Sequence, residues 1–378
     1  MDKGKQDAAM GRVARVREMM AERGYDAVVV RDEANLRWLT GAEGTFDYTY
    51  EFPHVAFITA DDLYFHTDSR YYNTFVEHLG EDTPWKLDQD VIDKPRWVVE
   101  RARDAQARTV AIEDSMQLSF YMGLVRGAED LSLAIAFPQM HEDITRMRAL
   151  KDAEEIETMR AAQAITDAAF EHICGFIRPG LTEKEVKSEL EAFMFANGAD
   201  SLSFATIVAS GPNAANPHAV ASDRVICEGD FVLMDYGAGY HDYCSDMTRT
   251  VVVGEPSAEQ LRIYECVRRA HEEAAAAIKP GVHSTDVHNI AEKVLEECGF
   301  PGAMGHALGH GVGIDIHELP YMSGRRGELY QVGHVVTVEP GVYLPGECGY
   351  RMEDYGVVTE DGFEPFTRST HELVKVGC

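Results

Sequence analysis

Basic side chains are scarce in this chain. Its 378 residues contain 35 lysines and arginines against 64 aspartates and glutamates, which gives a formal net charge of −29 at pH 7. A surface of this sign repels nucleic-acid phosphates and anionic lipid headgroups, so we expect neither nucleic acid nor a membrane as a partner. The sequence also lacks any run close to the roughly 20 apolar residues that a membrane span requires.

Several signatures of covalent chemistry are also missing. The seven cysteines form an odd set without a Cys-x-x-Cys pair, which argues against a disulfide framework and against a zinc site built from cysteine. No Gly-x-Ser-x-Gly elbow is present and no cysteine is placed in a glycine-rich elbow, so a serine or cysteine nucleophile is rejected. The N-terminus has no apolar segment typical of a signal peptide. We therefore expect a cytoplasmic protein with reduced thiols.

The length predicts two domains, and the pattern changes near residue 146. Residues 1–145 alternate helical and strand patterns, including a buried strand at Ala27–Val30, a hairpin over residues 54–66 and a strand at 109–112. We interpret this part as an α/β domain without chemistry of its own. Residues 146–378 form the second domain, which carries the candidate site.

The second domain contains a repeated helical pattern. A helix over 152–173 ends at Pro179-Gly180, and a Thr182/Glu185 capping box opens the next helix. At an offset of 101 residues, a helix that starts after Ser257 ends at Pro280-Gly281, and a further helix follows. Strands with acidic residues come after each pair. This repetition favours an internal duplication with a pseudo-two-fold axis.

Four acids follow or precede turns in these strands. Asp235 ends an apolar run, and Asp246 lies on the return strand after a glycine-containing turn. In the second half Glu339 ends an apolar run, and Glu353 lies on the return strand that begins at Arg351. A single acid beside a turn is usually a cap. Two matching pairs at strand ends instead indicate a shared carboxylate site.

Histidines lie between the two pairs. His306, His310 and His317 occur within twelve residues of a glycine-rich segment, and His218 lies in an irregular stretch before the first pair. Glycine permits close approach of the backbone to a metal or substrate. Four carboxylates with one imidazole suit two divalent ions such as Mn²⁺ or Co²⁺ better than one structural zinc.

These motifs together resemble the pita-bread metallopeptidase family, in particular its Xaa-Pro branch of aminopeptidase P and prolidase. The resemblance covers nearly the whole chain and implies an α/β (α+β) fold, in which a creatinase-type N-terminal domain precedes the pita-bread catalytic domain. It implies two bound divalent ions, with Mn²⁺ expected and Co²⁺, Zn²⁺ or Fe²⁺ as alternatives. The metal ligands that it implies are Asp235, Asp246, His310, Glu339 and Glu353.

The resemblance also implies the remaining site residues. His218 and His317 would contact the substrate and the developing tetrahedral centre, and His306 would face the substrate. Arg351 would pair with the acidic cluster, and Thr248 would support Asp246. The implied reaction is hydrolysis of the peptide bond before proline by a metal-bridging hydroxide, with Glu339 moving the proton. The implied partners are a proline-containing di- or oligopeptide and a second copy in a homodimer.

The size of the substrate stays open. Many relatives carry arginine directly after a His-Glu-x-Pro sequence, where it binds a terminal carboxylate, but this chain has Tyr321 there. Arg325 and Arg326 follow shortly and either replace that arginine or form a solvated pair in a loop. The sequence is therefore compatible with a dipeptidase and with an aminopeptidase. A metal-dependent hydrolase or lyase of a small non-peptide substrate is the alternative. Creatinase lacks the metal set and non-catalytic relatives lose ligands, and neither pattern is seen here.

Overall fold

The computed structural model describes residues 3–44, 53–89 and 92–377. The chain divides into two compact units, Met1–Arg148 and Ala149–Cys378. Among the described residues, none of the helices combines the length and apolarity needed to cross a bilayer. Cys378 lies outside the described residues, and the other six cysteines carry free thiols.

The first unit contains one mixed sheet with helices packed on it. The predicted strands and hairpin are present, because β-branched and aromatic residues fill them and their side chains are buried. The sheet order is β4-β3-β2-β1-β5, and a core around Trp97 and Leu124 packs on it. The elements are α1 (Lys3–Arg23), β1 (Ala27–Val30), α2 (Glu33–Thr40), β2 (Val55–Thr59), β3 (Leu63–His66), α3 (Tyr72–Leu79), β4 (Trp85–Asp88), α4 (Lys94–Asp104), β5 (Val110–Ile112), α5 (Leu118–Asp130) and α6 (Asp143–Ala149), which ends at the unit boundary.

The second unit alternates helix pairs with strands that are mostly antiparallel. A short 3₁₀ helix, Gly211–Ala215, follows β7. The other elements are α7 (Ala153–Phe176), α8 (Glu183–Ala196), β6 (Ser201–Leu202), β7 (Ile207–Ser210), β8 (Phe231–Tyr236), β9 (Ala238–Tyr240), β10 (Tyr243–Cys244), β11 (Met247–Val253), α9 (Ala258–Ala277), α10 (Ser284–Glu297), β12 (Gly309–Gly311), β13 (Glu318–Met322), β14 (Val335–Val338), β15 (Gly341–Leu344), β16 (Cys348–Arg351), β17 (Asp354–Val358), β18 (Phe363–Pro365) and β19 (Lys375–Val376).

The two helix pairs begin and end in the same way. Thr182 and Ser257 each form a capping box with the residue three positions later, as the sequence predicts. Gly180 and Gly281 both have positive φ after the long helix of each pair, at +96° and +82°. Only glycine adopts this conformation without strain. The two halves therefore repeat their local structure, as expected for a pseudo-two-fold domain.

Each helix pair packs against its own sheet. Apolar residues of α7 and α8 pack on the sheet ordered β19-β11-β8-β7, with Val186, Leu190 and Met234 fully buried. Residues of α9 and α10 share a second core with β14, β15 and β16. The second large sheet has the order β13-β12-β14-β17-β18. The five expected metal ligands lie on or directly beside β8, β11, β12, β14 and β17.

One expectation about the second half was wrong. The sequence places Arg351 to Asp354 on a single return strand, whereas the structure ends β16 at Arg351 and begins β17 at Asp354. β16 pairs with β15 in a separate two-stranded ribbon, and β17 pairs with β14. The chain changes sheets between these strands, which leaves Glu353 at the junction.

Candidate metal centre

The first pair of acids meets across neighbouring strands. Asp235 lies near the end of β8 and is directly opposite Thr248 on β11 in the antiparallel register. Asp246 immediately precedes β11. Residues opposite each other in such a pair direct their side chains to the same face. The apolar remainder of β8 and β11 is buried and fixes this register.

The second pair lies in the other large sheet together with one histidine. Glu339 directly follows β14, and Glu353 directly precedes β17, the antiparallel partner of β14. His310 lies on β12, which also pairs with β14. The Nε2 atom of His310 lies 3.5 Å from Oδ2 of Asp246 and 3.5 Å from Oε1 of Glu339. The ligand-type atoms of Asp246, His310 and Glu353 all lie within 4.8 Å of one another.

A glycine allows the close strand pairing that positions His310. A Cβ atom on Gly311 would lie 2.0 Å from the carbonyl oxygen of Leu319 on β13. That distance is far below van der Waals contact, so a larger residue would push β12 away from β13. Gly311 therefore permits the approach that fixes the neighbouring His310.

Arg351 links the two pairs of acids. Its guanidinium donates to Oδ2 of Asp235 and to Oγ1 of Thr248, the latter at 2.8 Å. The Thr248 hydroxyl in turn donates to Oε2 of Glu353 at 2.7 Å. Arg351 is only 2% exposed, so one cation is held among four acids in a poorly solvated place.

The carboxylates of the acidic cluster are buried and repel one another. Burial, and then repulsion from neighbouring carboxylates, raises the pKa of Asp246 and of Glu353 well above the usual range. Burial likewise raises the pKa of Glu339 to about 8, although Arg351 opposes the shift. Burial and the nearby His317 lower the pKa of His310 to about 3, which leaves a neutral imidazole. A cluster of this kind is stabilised by positive charge.

These residues fit divalent metal ions. Oδ1 of Asp235 is buried and has no hydrogen-bond partner among the described residues, so it is available as a ligand atom. Carboxylate oxygens and a neutral imidazole are the donors that Mn²⁺, Co²⁺ and Zn²⁺ accept. One arginine cannot balance four acids, and bound cations would supply the missing charge.

The other sequence-predicted histidines surround the cluster. The ring of His317 contacts that of His310 edge to face, with centroids 4.4 Å apart, and it is exposed on its outer side. His218 is exposed and lies close enough to Asp235 and His317 to influence both electrostatically. His306 is half-buried, and burial followed by the Arg351 charge lowers its pKa to about 4. The structure thus brings all of the predicted site residues into one region.

Sequence reasoning missed two residues of this network. The Tyr343 hydroxyl accepts from Arg351 at 2.8 Å and lies 3.0 Å from Nε2 of His306, so it links these two side chains. Thr337 accepts from the backbone N–H of His310 and contacts Glu339. Both residues lie on apolar β-strands, where tyrosine and threonine are common. No spacing pattern in the sequence distinguishes them.

Comparisons with known proteins identify the family of the chain. The model of metallopeptidase family M24 matches residues 157–360, and that of the creatinase/prolidase N-terminal domain matches residues 12–150. The Xaa-Pro dipeptidase of Pyrococcus furiosus is 39% identical over 266 residues, covering 70% of this chain and 75% of the relative.

Solved structures of Xaa-Pro peptidases are similar to this chain over nearly its whole length. The Xaa-Pro dipeptidase from Bacillus anthracis has a TM-score of 0.89 and 36% identity, covering 97% of this chain and all of that chain. The X-Pro aminopeptidase from Thermotoga maritima has a TM-score of 0.83 and 33% identity, covering 94% and 99%. The protein is a two-domain metallopeptidase: the chain belongs to family M24 and carries a creatinase/prolidase N-terminal domain. The family resemblance and the fold class inferred from the sequence are confirmed.

Proposed function

We propose that the protein hydrolyses the peptide bond that precedes proline. The observation that carries this proposal is the convergence of Asp235, Asp246, His310, Glu339 and Glu353 in one buried cluster, in a chain similar to Xaa-Pro dipeptidases and an X-Pro aminopeptidase. These five side chains would hold two divalent ions, with Mn²⁺ expected and Co²⁺, Zn²⁺ or Fe²⁺ as alternatives. When bound, such ions supply a nucleophile near neutral pH by lowering the pKa of water.

Glu339 is the proposed proton carrier. Burial raises its pKa to about 8 without metal, and bound cations would lower it again, which would leave a carboxylate able to accept a proton. It would accept the proton of the attacking water and pass it to the nitrogen of the leaving proline. That nitrogen belongs to a tertiary amide and carries no hydrogen, so it must gain a proton to leave as an amine.

His218 and His317 are the proposed donors to the carbonyl oxygen. Both are exposed on the open side of the cluster, and His317 contacts His310 directly. Donors aimed at an oxygen that gains negative charge stabilise the transition state more than the ground state. His306, held by Tyr343, would face the substrate beside them.

Arg326 favours a dipeptide substrate. Tyr321 lies opposite His310 in the β12–β13 pair, so the two side chains share a face. The guanidinium of Arg326 lies 3.7 Å from the centre of the Tyr321 ring. An arginine can bind a carboxylate through two parallel hydrogen bonds. We therefore propose that Arg326 replaces the arginine absent at 321 and binds the C-terminal carboxylate of an Xaa-Pro dipeptide.

Peptide hydrolysis by the Mn²⁺-loaded protein tests both the cleavage before proline and the preference for a dipeptide. We expect release of alanine from Ala-Pro, none from Ala-Ala, and loss of release with a chelator. Arg326→Gln should raise KM for Ala-Pro by roughly 10- to 100-fold, the value of a hydrogen bond to a charged group. Arg325→Gln is the matched control and should behave like the wild type.

The other outcomes have defined meanings. Cleavage of Ala-Pro-Ala but not of Ala-Pro would contradict the dipeptidase proposal and indicate an aminopeptidase. If neither peptide is cleaved while metal is bound, the reaction is that of a metal-dependent hydrolase or lyase acting on a small non-peptide substrate. The homodimer and the cytoplasmic location remain predictions, and sedimentation of the purified protein tests the first.

A further inference from the structure

A second group of ligand-type side chains lies beside the acidic cluster in the same unit. It consists of His271 on α9, Asp354 at the start of β17, and His371 in the segment before β19, and we call it the histidine site. One ligand-type atom from each residue lies within 4.8 Å of the others. Neither the sequence motifs nor the proposed reaction uses these residues.

The spacing within the histidine site suits a tetrahedral ion. Nε2 of His371 lies 2.7 Å and Nε2 of His271 lies 3.5 Å from Oδ2 of Asp354. The two imidazole rings meet edge to face, with centroids 4.9 Å apart. Ligand atoms at about 2.0–2.1 Å from a tetrahedral zinc are separated by roughly 3.3 Å. Small side-chain rotations therefore bring the three atoms to ligand distances.

His271 is the observation that most favours a ligand. It is only 2% exposed, yet neither ring nitrogen has a hydrogen-bond partner among the described residues. A buried imidazole without partners costs free energy, and such groups usually serve a purpose. Burial lowers the pKa of His271 to about 4, so the ring is neutral and its lone pair is available near neutral pH.

Asp354 is held so that one oxygen remains for the histidines. Arg249 donates to Oδ1 at 2.6 Å, whereas Oδ2 faces His271 and His371. Arg249 therefore fixes the orientation of the carboxylate, as an outer partner holds a metal ligand.

We propose that His271, Asp354 and His371 bind a borderline divalent cation of the Zn²⁺ class, at a site separate from the acidic cluster. Two imidazoles and one carboxylate are ligands that zinc accepts, whereas Mn²⁺ and Mg²⁺ favour oxygen. His371 is 34% exposed and provides the route from solvent, with water as the fourth ligand. Because Arg249 shares the carboxylate, we expect weaker binding than at a fully anionic site.

The chain contains a matched control for this site. His172 and Glu189 form a pair with the same 2.7 Å distance between nitrogen and oxygen, and His172 is 35% exposed. Within the described part of the chain, that pair belongs to no group of three ligand-type residues. It has the imidazole and carboxylate of the histidine site without the buried second imidazole.

Zinc content after equilibrium dialysis tests the proposal. We expect the wild type and His172→Gln to retain one more zinc ion per chain than His371→Gln and His271→Gln. Equal zinc content in all four proteins would overturn the site. Melting temperature checks the folding of each variant, and anomalous X-ray scattering from zinc-soaked wild-type crystals tests the site without any substitution. A peak between the three side chains supports it, and a peak at the acidic cluster alone contradicts it.

This result does not depend on the proposed peptidase reaction. Loss of the extra zinc in His371→Gln, with the ions of the acidic cluster retained, concerns the histidine site alone. Failure to cleave Ala-Pro would leave it unaffected.

Discussion

Arg351 donates a hydrogen bond directly to Asp235, one of the first pair of acids. Removal of this arginine gives the sharpest prediction. Arg351→Met keeps much of the side-chain length but removes the charge and the hydrogen bonds to Asp235, Thr248 and Tyr343. The Asp235 carboxylate then remains buried without its cation. The metal-free protein should lose stability strongly, and the metal-loaded protein should lose less because bound cations supply the charge.

The magnitude follows from the burial of the pair. Removing one partner of a buried ion pair costs about 3–5 kcal/mol, since the remaining charge is uncompensated. For a unit of this size, each kcal/mol shifts the melting temperature by roughly 2–4 °C. We therefore expect the melting temperature of metal-free Arg351→Met to fall by on the order of 10 °C.

Calorimetry with and without saturating Mn²⁺ measures both effects. The control is Lys184→Met, which breaks an exposed ion pair with Asp223 in the same unit. Such exposed pairs contribute about 0–1 kcal/mol. If metal-free Arg351→Met melts within a degree or two of Lys184→Met, Arg351 does not neutralise the cluster. The electrostatic description of the site would then be wrong.

Three further predictions concern neighbouring residues. Thr248→Val removes the hydroxyl that joins Arg351 to Glu353 and should weaken Mn²⁺ binding by roughly 10-fold in a metal titration, whereas Thr248→Ser should stay close to wild type. The pKa of Glu339 is raised to about 8, so its carboxyl group binds more protons in the native metal-free protein than in the unfolded chain. Its contribution to the free energy of unfolding in urea, measured as the difference between the wild type and Glu339→Gln, should therefore fall as the pH rises from about 5 to about 8, and a flat or rising difference would contradict the shift. His317→Ala should lower kcat for Ala-Pro by roughly 100- to 1000-fold, and an unchanged kcat would exclude the proposed donor.

The local elements of the catalytic unit could be predicted from the sequence because their signals are local. Capping boxes at Thr182 and Ser257 and the glycines that end each helix fix the helix boundaries within a few residues. The four acidic ligands could be recognised because each occurs beside a turn in a characteristic sequence motif. Repetition of the pattern then indicated that the two halves meet.

The contacts between distant segments could not be predicted in the same way. Tyr343 reaches both His306 and Arg351 because β15 and β16 form a separate ribbon, and the sequence suggested one return strand instead. The pairing of His271 with Asp354 depends on the packing of α9 against a strand more than eighty residues later. Such contacts depend on tertiary packing, which spacing along the chain does not encode.

The proposed reaction requires the metal ligands, and Asp246→Ala tests them most directly. Asp246 is 4% exposed and lies 3.5 Å from His310, so its loss opens the centre of the cluster. Metal content and release of alanine from Ala-Pro should be measured on the same Mn²⁺-dialysed preparation. We predict that the variant loses both the bound Mn²⁺ and the activity. Full activity in Asp246→Ala would contradict a metal-dependent reaction at this cluster.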